Sequence, residues 1–384
     1  MGVAFLKRFF RVLTAAALAA LMLCSGALCA PEPAASCAVL MDAESGRVLY
    51  ARQLHARRPI ASITKLMTAL VAVERFPGLE REVTVQPEWL GSEGSSIYLH
   101  AGEKITVRGL LYGLLLQSGN DAAMVLACAA AGTEERFADW MNERAAALGM
   151  VDTHFVNPSG LDAADHYSSA YDMALLAAAC LENEVVAEIC AAKSAAVGTR
   201  TFYNHNRLLS RYPGCIGMKT GYTERSGRTL VSAARREEQT LICVTLNDPD
   251  DWNDHTALLD YGFSAYPARL LCGQGEVLGA VPVSGSIVPS AAAAAADTVR
   301  FPLGEGERLE CVVETIPALT APVARGAAAG RVVWLLNGVQ VAETELVCAG
   351  PVAEDRVRRA RPGRRIIDWL FALVKRGDGT EEER

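Results

Sequence analysis

At 384 residues, with 51% hydrophobic and 21% charged, the chain can bury one large core or two smaller ones, and two domains is the better division. A net charge of −7, with no basic stripe interleaved with aromatics before the C-terminus, argues against a nucleic-acid partner. Eleven cysteines lack both Cys-x-x-Cys and zinc-ladder spacing; Cys128, Cys180 and Cys190 sit in Ala/Leu-rich helical runs, so small buried hydrophobes with free thiols are expected there.

In chain order, Lys7, Arg8 and Arg11 precede an apolar run from Val12 to Leu23 and the small residues Ser25-Gly26-Ala27. This is the layout of an export signal peptide over residues 1–30, cut after Ala27 or Ala30, with an uncleaved membrane anchor as the alternative. Ala38 to Arg52 reads as two short strands turning at Glu44-Ser45-Gly46. Pro59 then introduces Ala61-Ser62-Ile63-Thr64-Lys65, which opens an apolar-periodic run through Leu66, Met67, Leu70 and Val73. That run predicts a helix with Ser62 in its first turn and Lys65 on the same face. A hydroxyl three residues before an amine on a helix is the geometry in which lysine can take the serine's proton, provided burial or a second cation lowers the lysine pKa by roughly 2–4 units.

Val83 to Leu99 is turn-rich, and Ile105 to Leu116 predicts a helix that ends just before Ser118-Gly119-Asn120. Helical patterns resume over Asp121 to Ala131, Glu134 to Leu148 and Ser168 to Ala192, with Asn157-Pro158-Ser159-Gly160 as a loop. Lys219-Thr220-Gly221 leads to Thr229–Ala234, and Thr240–Leu246 returns after Glu237-Glu238-Gln239, which reads as a β-hairpin. Leu258 to Phe263 reads as a closing helix. The sheet is expected to combine N-terminal and C-terminal hairpins around an inserted helical lobe. His154, His166 and His205 have no ligand-like spacing and are read as structural or loop residues.

Composition changes near Tyr266. Short β-rich runs follow, with an Ala291–Ala296 tract and a hairpin signal at Asn337-Gly338, so residues 265–352 are expected to form a small all-β domain. Arg356, Arg358, Arg359, Arg361, Arg364 and Arg365 then precede Ile366–Val374, where Ile366, Trp369, Leu370 and Leu373 share a helical face. Nine residues are too few to span a bilayer, so residues 356–384 are expected to anchor at an anionic membrane surface, or else to pack on the protein itself.

Ser-x-x-Lys alone arises about once by chance in a chain this long. Its combination with Ser118-Gly119-Asn120 and Lys219-Thr220-Gly221, in that order, is far more specific. With the phrases Pro59-Ile-Ala-Ser-Ile-Thr-Lys-Leu-Met-Thr, Leu116-Gln-Ser-Gly-Asn-Asp-Ala-Ala and Gly217-Met-Lys-Thr-Gly-Tyr-Thr, the stretch Ser36–Phe263 resembles the low-molecular-mass penicillin-binding proteins that are D-alanyl-D-alanine carboxypeptidases.

The resemblance implies an α/β, β-lactamase/transpeptidase-like antiparallel sheet flanked by helices over residues 36–264. It also implies an exported enzyme at the outer face of the cytoplasmic membrane, acting on the D-Ala-D-Ala end of peptidoglycan stems and inhibited by β-lactams, with no metal or organic cofactor. It casts Ser62 as nucleophile, Lys65 as base and Ser118 as proton donor to the leaving amine. Asn120 positions Lys65 and the substrate amide, while Lys219 and Thr220 hold the substrate carboxylate. Gly221 belongs to the same motif, and the backbone N–H groups of Ser62 and Tyr222 receive the oxyanion. An arginine that some relatives place after the strand hairpin is not evident in the acidic stretch Asp248–Asp254. A serine β-lactamase is the alternative enzyme, although no glutamate between Ser118 and Lys219 stands in a recognisable deacylation motif. A non-catalytic cell-wall-binding protein is the alternative from another class.

Overall fold

The computed structural model describes residues 29–355; residues 1–28, most of the expected signal peptide, and the basic segment 356–384 lie outside the described residues. Two compact units divide the chain. One holds the described residues through Arg269 together with Arg300–Arg308, and the other holds Leu270–Val299 and the chain from Leu309. The expected all-β stretch is therefore interrupted, because nine residues in its middle return to the first unit.

The first unit is built on an antiparallel sheet. Strands β1 (Cys37–Asp42) and β2 (Val48–Arg52) form the N-terminal hairpin. Helices α1 (Lys65–Arg75), α2 (Val107–Leu116), α3 (Asn120–Ala131), α4 (Glu134–Ala147), α5 (Ala170–Glu182) and α6 (Glu184–Ala191) follow. The chain then returns to the sheet with β3 (Cys215–Gly217), β4 (Thr220–Thr223), β5 (Gly227–Arg236) and β6 (Gln239–Leu246), and closes with α7 (Asp251–Ala265). The sheet order is β2-β1-β6-β5-β3, with β4 also pairing β5, so the first strand pairs with the last, from Cys37 opposite Leu246 to Asp42 opposite Leu241. This is the expected joining of two hairpins around a helical insertion.

Burial on both faces explains the composition of the central strands. All six residues of β1 are buried, with Val39 and Met41 packing on the helical lobe while Ala38 and Leu40 pack beneath α7. Helix α7 starts at Asp251, seven residues before the predicted Leu258, because its first turn is polar and carries no apolar periodicity. The predicted 168–192 helix is two helices meeting at Asn183, whose side chain accepts from Val186 N–H and caps α6. In the returning segment, Glu307 grips Arg47 through two oxygens at 2.6 and 2.9 Å, and the Arg47 guanidinium lies 5.2 and 5.3 Å from the Tyr266 and Phe301 ring centres.

The second unit is a six-stranded sheet. Its strands are β7 (Val277–Ser284), β8 (Ser290–Ala295), β9 (Leu309–Thr315), β10 (Leu319–Thr320), β11 (Ala328–Leu336) and β12 (Val339–Cys348), in the order β9-β11-β12-β8-β7-β10. The Ala291–Ala296 tract, which no helix or strand pattern assigned, is largely strand β8; its alanines are small enough to be buried beside Val281, Trp334 and Leu346. Asn337 and Gly338 form the two-residue turn between β11 and β12, both with positive φ, as the sequence signal requires.

Among the described residues no helix is long and apolar enough to cross a membrane, and no group of three His, Cys, Asp or Glu could hold a metal ion. The ten described cysteines are free thiols, and burial pushes Cys180 and Cys243 well above the ordinary thiol range.

Candidate active site

Ser62 lies not in the α-helix but in a 3₁₀ turn, Ala61–Thr64, that feeds directly into α1. The tighter turn follows from Ala61, which is buried and held at φ +50, a left-handed conformation that cannot continue an α-helix backwards. The other two motifs carry the same backbone device: Ser118 itself has φ +62, and Met218, just before Lys219, has φ +84. Each motif thus begins at a strained kink that turns a side chain out of its element into a shared cleft.

Lys65 is fully buried at the first position of α1. Its Nζ stands 2.8 Å from Ser62 Oγ and 2.8 Å from Asn120 Oδ1, and it also donates to the carbonyl of Ser159. The Asn120 amide is oriented by its own Nδ2, which donates to Glu93 O at 2.6 Å, so Oδ1 faces the lysine. Asn120 Oδ1 and Ser159 O can only accept. A neutral amine has two N–H groups for those two acceptors, which leaves its lone pair facing Ser62, the one partner that owns a proton. Burial holds Lys65 well below the ordinary lysine range; the charge of Lys219 lowers it further, and Asp121 opposes both.

Lys219 occupies the sheet edge between β3 and β4, exchanging both backbone hydrogen bonds with Val231 of β5. Its ammonium donates to Thr220 O at 2.8 Å, and burial brings its pKa down to about 7. Gly221 lets β4 approach the Ser62 turn, since a Cβ there would stand 2.9 Å from Ser62 N and 2.5 Å from Thr229 Oγ1. Thr229 Oγ1 in turn donates to Ile60 O at 3.0 Å and ties the strand pair to the start of the Ser62 turn.

Ser62, Ser118, Thr220, Gly221 and Tyr222 line one cavity of about 340 Å³, with Lys65, Asn120 and Lys219 buried behind. The structure therefore brings together all eight residues singled out from sequence. It also adds residues that sequence reasoning missed. Ser95, His205, Arg207, Arg228, Asp251 and Trp252 complete the cavity wall. Arg228 grips buried Asp251 through Nε and Nη2 at 2.7–3.0 Å and lies 5.5 Å from the Trp252 ring centre. Arg228 stands opposite Tyr222 across β4 and β5, and that pairing, rather than any local motif, brings it here.

Two further supports have a sequence signal visible in hindsight. In Asn157-Pro158-Ser159-Gly160, Asn157 Oδ1 accepts from Ser159 N, Ser159 Oγ and Gly160 N, shaping the loop that offers Ser159 O to Lys65. Gly160 has φ +82, and a Cβ there would lie 2.0 Å from Ala61 O. The Asp121 carboxylate accepts from Ser96 Oγ, Ile97 N and Leu99 N, so the residue after Asn120 clasps the 93–99 segment over the site. Of the histidines, His166 is structural: its Nδ1 accepts from Val156 N, its Nε2 pairs with Thr64 Oγ1 at 2.8 Å, and burial lowers its pKa to about 4. His205, read as a structural or loop residue, sits in a loop and also lines the cavity.

A kinked Ser-x-x-Lys turn at the edge of an antiparallel sheet, with a buried lysine pair and a helical lobe, defines the class of penicillin-binding and transpeptidase-fold serine enzymes. Residues 26–250 match the D-alanyl-D-alanine carboxypeptidase family, and the chain belongs to that family. It is 31% identical over 325 residues to D-alanyl-D-alanine carboxypeptidase DacF of Bacillus subtilis, covering 81% of this chain and 84% of the relative. DacC of Escherichia coli is 32% identical over 346 residues, covering 85% and 86%. Among solved structures, penicillin binding protein 5 of Haemophilus influenzae superposes with a TM-score of 0.72 at 29% identity, covering 85% of this chain and 99% of that one.

Proposed function

We propose that Ser62 carries the reaction by which this D-alanyl-D-alanine carboxypeptidase removes the terminal D-alanine from peptidoglycan pentapeptides. The observation that carries the assignment is the Lys65 amine, buried and saturated by two pure acceptors, with its third direction on Ser62 Oγ at 2.8 Å. Lys65 takes the Ser62 proton as Oγ bonds to the carbonyl carbon between the two D-alanines. The oxyanion is received by the backbone N–H groups of Ser62 and Tyr222. Ser118 passes a proton to the departing amine as the C–N bond breaks, D-alanine leaves, and water hydrolyses the Ser62 ester.

Lys219 and Thr220 hold the substrate's terminal carboxylate; Arg228 lies on the same wall, with its charge paired to Asp251. A β-lactam offers its carbonyl in the same place and acylates Ser62. The one carboxylate in the cavity wall is Asp251, and it is occupied by Arg228, so no free acid stands ready to speed water onto the ester. This favours slow release of bound β-lactam over β-lactamase turnover.

Peptidoglycan lies outside the cytoplasm, and there the enzyme works. The finer location rests on sequence: export by the leader over residues 1–30 and attachment to anionic membrane by residues 356–384. Ser62→Ala should abolish labelling by fluorescent penicillin and D-alanine release from diacetyl-Lys-D-Ala-D-Ala while leaving the melting temperature unchanged. D-alanine release that survives this substitution would refute the assignment.

A further inference from the structure

Strands β7 and β8 of the second unit are joined by the five-residue turn 285–289, Gly-Ser-Ile-Val-Pro. Its two large apolar side chains point to solvent: Ile287 is 85% exposed and Val288 50%. The turn is defined rather than frayed, with Val283 N–H donating to Pro289 O at 2.9 Å and Val288 N–H donating to Ser286 Oγ at 3.2 Å. An exposed Ile-Val pair at the end of a hairpin does nothing for the core of its own unit and costs solubility unless something covers it.

The course of the chain says what covers it. Asp355, the last described residue, donates its backbone N–H to Gly285 O at 3.1 Å, just after Val352 bridges to Val323. The polypeptide therefore leaves the fold at this tip, and the arginine-rich stretch with Ile366–Val374 begins at the next residue. Ile366 is eleven residues beyond Asp355 and therefore lies within about 40 Å of the turn whatever path the chain takes.

We propose that the 285–289 turn inserts Ile287 and Val288 into the lipid interface as a second membrane contact beside the C-terminal segment. This rests on the reading of residues 356–384 as a membrane anchor. The division of labour is set by charge. The turn carries no ionisable side chain and has the exposed acids Glu354 and Asp355 beside it, so its contribution is apolar insertion, whereas the arginines of the tail supply the attraction to anionic headgroups. Two points of attachment fix the orientation of this unit on the bilayer, which a single attachment does not.

The test uses the mature chain, without the leader of residues 1–30 and with the C-terminal segment intact, and phosphatidylcholine–phosphatidylglycerol vesicles. I287S/V288S should partition about tenfold more weakly than wild type, by a factor unchanged between low and high salt, with D-alanine release unaltered. In I287W, brominated lipid should quench tryptophan emission beyond the wild-type background. Wild type that binds vesicles, with I287W quenched no more than that background and I287S/V288S partitioning normally, overturns the tip contact and leaves the tail anchor standing. Wild type that fails to bind vesicles overturns both. Self-association in the absence of lipid that I287S/V288S abolishes would assign the turn to a second copy of the chain and likewise overturn the lipid contact.

Discussion

The two units bury opposite kinds of interior. Within the described residues, the catalytic unit takes Lys65, Lys219, Asn120, Asp121, Asp172, His166 and His255 out of water, whereas the buried polar side chain of the second unit is Thr344. Burying a charge or an amide costs several kcal/mol unless it is paired, so the first unit gives up stability that the second keeps. Part of that sacrifice falls beside Ser62, where it keeps one lysine neutral and aims its lone pair, while Asp172 and His255 are held elsewhere by Thr153 and by Ser232 and Thr245. The second unit, with an interior of Val, Ala, Trp and Leu, has nothing comparable to poise. Polar burial in the first unit thus serves both the cleft, through Lys65, Asn120 and Lys219, and the scaffold, through His166 and His255, whereas the second unit relies on apolar burial.

Substitutions should separate the two kinds of interior. Gly160→Ala places a methyl against Ala61 O and should displace the Ser62 turn, lowering kcat/KM by about 10³-fold, or ~4 kcal/mol; activity within threefold of wild type would mean the turn adapts freely. Leu346→Ala empties a fully buried site in the second unit and should cost about 3 kcal/mol of that unit's stability by denaturant titration, with D-alanine release from a small peptide unchanged. A matching loss of activity would break the proposed contrast.

The pH profile tests the lysine pair directly. Lys219 has its pKa lowered by burial to about 7, so it loses its proton as pH rises through that value, and with it the charge proposed to hold the substrate carboxylate. The free enzyme's kcat/KM should therefore fall about tenfold per unit above pH 7. The kcat limb should lie higher, because a bound carboxylate stabilises the ammonium. Asp121→Asn turns an acceptor of three backbone or hydroxyl donors into a group that accepts through one oxygen only, and should reduce kcat/KM about tenfold. Since the Asp121 charge raises the Lys65 pKa, removing it should also move the acid limb to lower pH; an unmoved limb would leave Asp121 with a purely structural role.

What was legible in the sequence was local. Ser62 and Lys65 are three residues apart, Asn337-Gly338 dictates its own turn, and apolar periodicity located most helices. The 3₁₀ geometry at Ser62 was hidden because it goes with the left-handed backbone of Ala61, whose carbonyl packs so closely on Gly160, almost a hundred residues on, that only glycine fits there. Arg228 was passed over because its role depends on the pairing of β4 with β5 and on Asp251 at the start of α7. The acidic Asp248–Asp254 stretch, which argued from sequence against an arginine there, holds the arginine in place. Alanines 291–295 gave no readable period because alanine suits a helix on propensity alone, and only the strands on either side make it a strand.

The return of Arg300–Arg308 to the catalytic unit bears on how the enzyme can be cut down. A fragment ending at Arg269 would keep every residue of the cleft and yet lose Glu307, Pro302 O and the Phe301 ring, stranding the Arg47 guanidinium at the edge of the N-terminal hairpin. Proteolytic trimming or domain exchange at the apparent boundary would then yield a catalytically complete but fragile enzyme. A graft that carries the nine-residue excursion along with the upstream segment would keep the hairpin clamped.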